Sequence, residues 1–224
     1  NDSNKLQRFI HPLKSIIAPP EETLRKWDDL NKKRKVVALG GVDAHAHKHS
    51  VMGFDFEIFP YKVLFKSIRT HVLVQKEIVK GDKENFESDK KQILDALRNG
   101  NSFIVNNYHG SGKGFRFVAE YEGVNYSMGD EIKFDPKKNK KIILRTFVPE
   151  SGLIRLIHNG KKVDELTGLE GIWDSDEKGS YRIEVWKANK GWIRPRMTHR
   201  AARPDQNSPQ DPTLMTEQNT ATPP

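Results

Sequence analysis

Asp43, His45, His47 and His49 occupy alternate positions in the stretch Asp43-Ala44-His45-Ala46-His47-Lys48-His49. A carboxylate and neutral imidazoles each offer a lone pair to a divalent cation at about 2.0–2.2 Å, the ligand chemistry of zinc, manganese or iron. In extended backbone alternate residues share a face, so the four side chains are expected to converge. Three of the chain's eight histidines fall within five residues here, a density that packing does not require. A solvated, histidine-rich loop without metal is the competing reading. The chain has no cysteine, which excludes thiolate zinc sites, disulfides and cysteine nucleophiles. Any metal must rest on His, Asp, Glu or water.

The elements around this loop decide whether it can act as a site. Val36-Val37-Ala38-Leu39, ending at Gly40-Gly41, is a continuous apolar run of the kind that forms strands covered on both faces in parallel α/β sheets. Ligands collect beyond the carboxyl ends of such strands, where Asp43 and His45 stand. Before it, Pro19-Pro20 and the acidic pair Glu21-Glu22 start a helix with Leu24, Trp27 and Leu30 on one face. After it, residues 60–74 read as extended and strand-like, interrupted by Lys62, Lys66 and Arg69. A helix capped by Ser88 is predicted through Ile93, Leu94 and Leu97, with Gly100 at the left-handed position past its end, followed by strand character in Ser102-Phe103-Ile104-Val105.

From Phe115 the apolar period changes to two. Residues 115–121, 142–148, 153–157 and 181–186 read as strands, with Gly123, Gly129-Asp130, Asn159-Gly160 and Gly179 between them. Asn159-Gly160 is the strongest hairpin signal. The fold class is therefore α/β in residues 1–110, an all-β sandwich in 111–195, and a tail from 196 to 224 that is rich in Pro, Thr and Gln and expected to be disordered.

The order strand, Gly40-Gly41-Val42-Asp43-Ala44-His45 resembles the final motif of the PHP (polymerase and histidinol phosphatase) family of metal-dependent phosphoesterases. There a Gly-Ser-Asp-x-His type sequence ends a barrel strand, and Val42 departs from the usual Ser. The likeness continues through Pro60 to Val74, through Ile93 to Val105, and into the β domain appended in one bacterial branch, spanning most of residues 21–193. It implies the last portion of a distorted β/α barrel, and Asp43 and His45 as ligands of a di- or trinuclear centre of zinc, manganese or iron. His47 and His49 would support those ligands or meet the substrate phosphate. The family's early His-x-His pair, its Glu and its further His come from strands that precede this motif, and no such strands precede Asp43. The resemblance therefore implies the carboxyl-terminal part of a hydrolase of small phosphate esters, incomplete as a catalyst alone. The reading from another class is a catalytically silent interaction module that acts through the sandwich.

Other motifs are weaker. His109-Gly110-Ser111-Gly112-Lys113-Gly114 misses the phosphate-loop pattern at Asn107 and Gly114, and reads as a hinge. His71 and His158 sit in apolar runs and are expected to be structural, and Trp173, Trp186 and Trp192 to form sandwich core or rim. With 35% hydrophobic and 30% charged residues, part of the chain is expected to be solvated. The net charge of +8 raises a nucleic-acid partner, but the lysines are scattered. Their densest clusters, Lys32-Lys33-Arg34-Lys35 and Lys137-Lys138-Asn139-Lys140-Lys141, read as polar turns. No apolar run approaches the ~20 residues of a membrane-spanning helix. The first residue is Asn1, so the natural start is expected to lie elsewhere.

Overall fold

A computed structural model describes residues 16–187 apart from 17, 52, 59, 80 and 82. All of them belong to one compact unit, Asn1–Lys190. Trp192 and the tail expected to be disordered, 196–224, lie outside the described residues.

The fold is mostly strands with few helices. Helix α1 spans Glu21–Asn31; the hairpin strands β1 (His47–Val51) and β2 (Phe54–Ile58) follow, then the single turn α2 (Tyr61–Leu64) and β3 (Ile68–Val72). Helix α3 (Phe86–Asn99) leads into β4 (Ser102–Asn106). The remainder is β5 (Arg116–Tyr121), β6 (Val124–Ser127), β7 (Ile142–His158), β8 (Lys161–Ser175) and β9 (Tyr181–Trp186).

Helix α3 ends as its sequence dictates: Gly100 takes φ 74°, the left-handed conformation that only glycine adopts without strain. Its cap is Asn85 rather than Ser88, three residues earlier than expected. Residues 60–74 are also a correction. Pro60 starts the α2 turn, and only Ile68–Val72 is strand.

The strand expected at Val36–Leu39 does not join a sheet. Its place beside β3 and β4 is set by a side chain instead: the Thr70 hydroxyl accepts from Gly40 N at 2.9 Å and lies 3.1 Å from Gly40 O, to which it donates. A Cβ at Gly40 would sit 2.6 Å from Ile104 Cγ2, so only glycine passes this close. All pairings among the described strands are antiparallel, β1 with β2, β3 with β4, and β6-β5-β7-β8 with β9 on β7. The parallel sheet expected for the first half is absent from them, and a barrel portion is not formed by them.

The β half is one bent sheet. Residues 142–148 and 153–157, expected as separate strands, are a single strand whose register shifts between Phe147 and Gly152. Bulges bend strands, and this one folds the sheet onto itself. Ile142 and Leu144 before the bend meet Leu156 after it in one core with Tyr121, packed by Phe134, Trp173, Tyr181 and Ile183. The two layers expected of a sandwich are thus halves of the same sheet. At the β7–β8 turn Asn159 and Gly160 have φ 49° and 81°, the mirror-image turn expected there.

The two halves of the chain differ sharply in burial. Among the described residues up to 108, Leu64 and Ala96 are the buried core, while thirteen large apolar side chains, including Leu39, Phe54, Phe65 and Phe86, are exposed. Among the described residues beyond 108, seven are buried and six exposed. The segment expected as a hinge is packed: a Cβ on Gly112 would lie 2.5 Å from Val105 Cγ2, and Phe103 meets Phe115 at 4.9 Å.

Candidate functional site

The extended run 36–41 delivers the chain to Asp43, where the backbone turns through φ 46°. Asp is one of the few non-glycine residues that visit this region with any frequency. The turn interrupts the two-residue alternation expected to align Asp43, His45, His47 and His49, because strand geometry begins only at His47. His47 and His49 lie in β1, opposite Ile58 and Phe56 of β2. His49 is exposed.

Asp43 and His45 do come together. His45 Nδ1 lies 3.5 Å from Asp43 Oδ1 and 2.9 Å from the Asp43 carbonyl oxygen, and the two side chains are 63% and 93% exposed. The carbonyl oxygen can only accept, so His45 Nδ1 carries the proton and donates to it, and the lone pair that this ring can offer a cation is on Nε2. Among the described residues no group of three or more His, Asp or Glu is arranged to hold a metal ion. A closed site takes four ligands. A carboxylate and an imidazole are donor types that a divalent cation takes, and two of them leave such a site incomplete.

The surroundings are held by residues that composition did not single out. Val42, just before Asp43, lines a cavity of about 30 Å³ with Leu64, Ser67, Ile68 and Asn106. Thr70, through its clamp on Gly40, fixes where the loop leaves the β3–β4 pair. No local pattern marks Thr70, since its partner is 30 residues away.

The histidines expected to be structural are so placed. His71 stacks on Phe103 at 4.9 Å and its Nε2 lies 3.3 Å from Asn107 Oδ1. His158 is buried, stacks on Tyr181 at 4.4 Å, and sits 3.1 Å from both Glu177 Oε2 and the Lys178 carbonyl. Trp173 packs on the core and donates to Asp164, and Trp186 lies under Arg155 at 5.3 Å.

Most of the basic clusters are tied into turns. Lys32 pairs with Asp29, Lys138 and Lys140 with Glu122, and Lys141 with Asp174. The hydrogen bond and charge of Lys138 hold Glu122 below the usual carboxylate range, and those of Lys141 do the same for Asp174.

No known family model matches this chain. Neither does any curated protein or any solved structure. No helix among the described residues is long and apolar enough to cross a membrane.

Proposed function

We propose that this chain is the carboxyl-terminal part of a PHP-type hydrolase of small phosphate esters and supplies one edge of its divalent-metal centre. The observation that carries the reading is the Asp43–His45 pair, a carboxylate beside an imidazole at the solvent-exposed loop, with the Nδ1–H bond to the Asp43 carbonyl setting the tautomer in which Nε2 carries the lone pair for a cation. Asp43 and His45 hold the cation, and the reading requires further donors, because among the described residues no group of three or more His, Asp or Glu is arranged around one ion. The uncovered apolar surface of residues up to 108 supports the same reading, because a half that exposes thirteen large apolar side chains is suited to be covered by further structure. When bound, a divalent ion lowers the pKa of its water toward 7 and neutralises charge on phosphoryl oxygens. His47 and His49 lie on the adjoining strand, past the turn at Asp43, and have no part in holding the cation in this reading.

Equilibrium dialysis of the chain against zinc and manganese tests this. Weak, one-site uptake that disappears in both Asp43→Ala and His45→Ala is the expected result. Uptake indifferent to both substitutions overturns it.

A second reading, a catalytically silent interaction module, is favoured by β8, a fifteen-residue strand bonded along one side only and exposing Val163, Leu169 and Ile172. Unpaired strand edges take up other strands, and the six charged residues of β8 oppose this. Under that reading metal uptake is absent and the chain self-associates or captures a strand through β8.

A further inference from the structure

Segments 58–76 and 96–119 contain no Asp or Glu and seven Lys or Arg residues. Three of these cations, Lys62, Lys66 and Arg69, lie on the α2 turn, its exit and β3, while Arg98 is paired with Asp95. Some lysines elsewhere find carboxylates, as Lys26 does with Glu22 and Lys91 with Asp95. Lys62 and Lys66 are exposed, four residues apart on the α2 turn and its exit, and neither ammonium has a partner among the described residues. Like charges at this spacing repel each other.

With Val63, Asn107 and Tyr108 these two lysines line an open cleft of about 360 Å³, at the small end of the range for small-molecule sites. The Asn107 amide nitrogen makes only a 3.4 Å bond to Gly110 O, and the Tyr108 hydroxyl has no partner among the described residues. Residues that carry two unneutralised cations, an underused amide donor and a free hydroxyl therefore line one cleft, and no carboxylate-bearing residue lines it.

We propose that this cleft binds a multiply charged oxyanion, the phosphate group of a small molecule, without a metal. Lys62 and Lys66 neutralise its charge, Asn107 Nδ2 and the Tyr108 hydroxyl donate to its oxygens, and Val63 with the Tyr108 ring covers the carbon group attached to it. Two lysines match one dianion, which favours a small phosphate over a polymer that needs a track of contacts. The proposal stands apart from the Asp43–His45 pair, since none of the lining residues is a ligand there.

Titration of the full chain with inorganic phosphate and with a short alkyl phosphate, in a chelator and at low salt, tests it by calorimetry and amide chemical shifts. Saturable one-site binding is expected, with shifts at Lys66, Asn107 and Tyr108. Lys62→Ala and Lys66→Ala should each weaken it by about tenfold or more, with unchanged thermal midpoints, as befits exposed side chains. Lys66→Arg should retain most of the affinity, and Asp43→Ala should leave it intact even if metal uptake is lost. Absence of saturation, equal binding by the double alanine variant, or binding that requires added metal overturns the proposal. So does displacement of phosphate by duplex DNA at far lower concentration, which would assign the cations to a polymer.

Discussion

The Asp28 carboxylate and the Arg182 guanidinium lie fork to fork, Nε to Oδ1 at 2.8 Å and Nη2 to Oδ2 at 2.9 Å, across 154 positions of sequence. This pair joins α1 to β9 and is only 11% and 15% exposed. Arg182 also meets Glu184 and lies 5.8 Å over the Trp27 ring. Burial lowers the Arg182 pKa, but the bonds from Asp28 and Glu184 outweigh it and the net shift is upward.

Removing Arg182 leaves the Asp28 carboxylate buried without its cation, whereas removing Asp28 leaves Arg182 with Glu184. Arg182→Ala is expected to cost about 3–5 kcal/mol, the range for breaking buried ion pairs, in urea unfolding, and Asp28→Ala less. Arg182→Lys should recover little of the pair, because an ammonium cannot make the two parallel bonds. In a double-mutant cycle the Asp28→Ala and Arg182→Ala effects should be strongly non-additive; additive losses would mean that the residues act separately.

Gly129 has φ 88° and sits against the end of α3, where an added Cβ would fall 2.3 Å from Asn99 O and 2.4 Å from Gly100 C. Both neighbours are backbone and cannot yield as a side chain tip can. Gly129→Ala is therefore expected to cost upward of about 1 kcal/mol from the positive φ alone, and more from the clash. Gly123→Ala, at φ 77° with open space around the added carbon, isolates the φ contribution. Equal losses for the two variants would remove the clash from the account.

Features set by neighbours in sequence were legible; features set by distant partners were not. Gly100 ends α3 and Asn159-Gly160 turns β7 into β8 because backbone sterics act locally. Val36–Leu39 has the composition of a strand, but side chains replace the ladder: Trp27 and Asn31 of α1 bond Val36, and the Thr70 hydroxyl bonds Gly40 just past the run, which nothing in the run announces. The candidate site divides in the same way. The Asp43 and His45 donor types were readable, whereas the turn at Asp43 that separates them from His47 and His49 was not. In the sequence Lys62 and Lys66 interrupt an apolar, strand-like run; Pro60 before a four-residue lysine spacing is the available signal for a helical turn.

Tyr181 gives the fold an alkaline limit. Its hydroxyl bonds Ser175 Oγ at 2.6 Å and the Glu177 carbonyl at 2.8 Å, and burial raises its pKa, with the nearby Glu177 and Asp176 charges adding to the effect and the Ser175 bond opposing it. The folded chain thus holds this proton more tightly than the unfolded chain. That stabilisation is complete below the unfolded value of about 10 and is lost as pH rises through the folded one. Urea midpoints should fall above that pH. The fall should be smaller in Tyr181→Phe, which starts less stable because the two hydrogen bonds are gone. An identical alkaline slope in both would assign the limit to another group.

Thr70 connects the fold to the candidate metal edge, and its test separates positioning from ligation. The hydroxyl accepts from Gly40 N and donates to Gly40 O, satisfying both backbone groups three residues before Asp43. Thr70→Val keeps the shape and removes both bonds, leaving half-buried backbone groups unpaired at a cost of about 1–3 kcal/mol. Thr70→Ser keeps the hydroxyl. Hydrogen exchange at the Gly40 amide should therefore accelerate in Thr70→Val and stay near the parent rate in Thr70→Ser. If the clamp sets where Asp43 and His45 project, metal uptake should weaken in the valine variant and recover in the serine variant, although neither change touches a ligand. Faster exchange at Gly40 with unchanged uptake would show that the Asp43 turn holds the pair by itself.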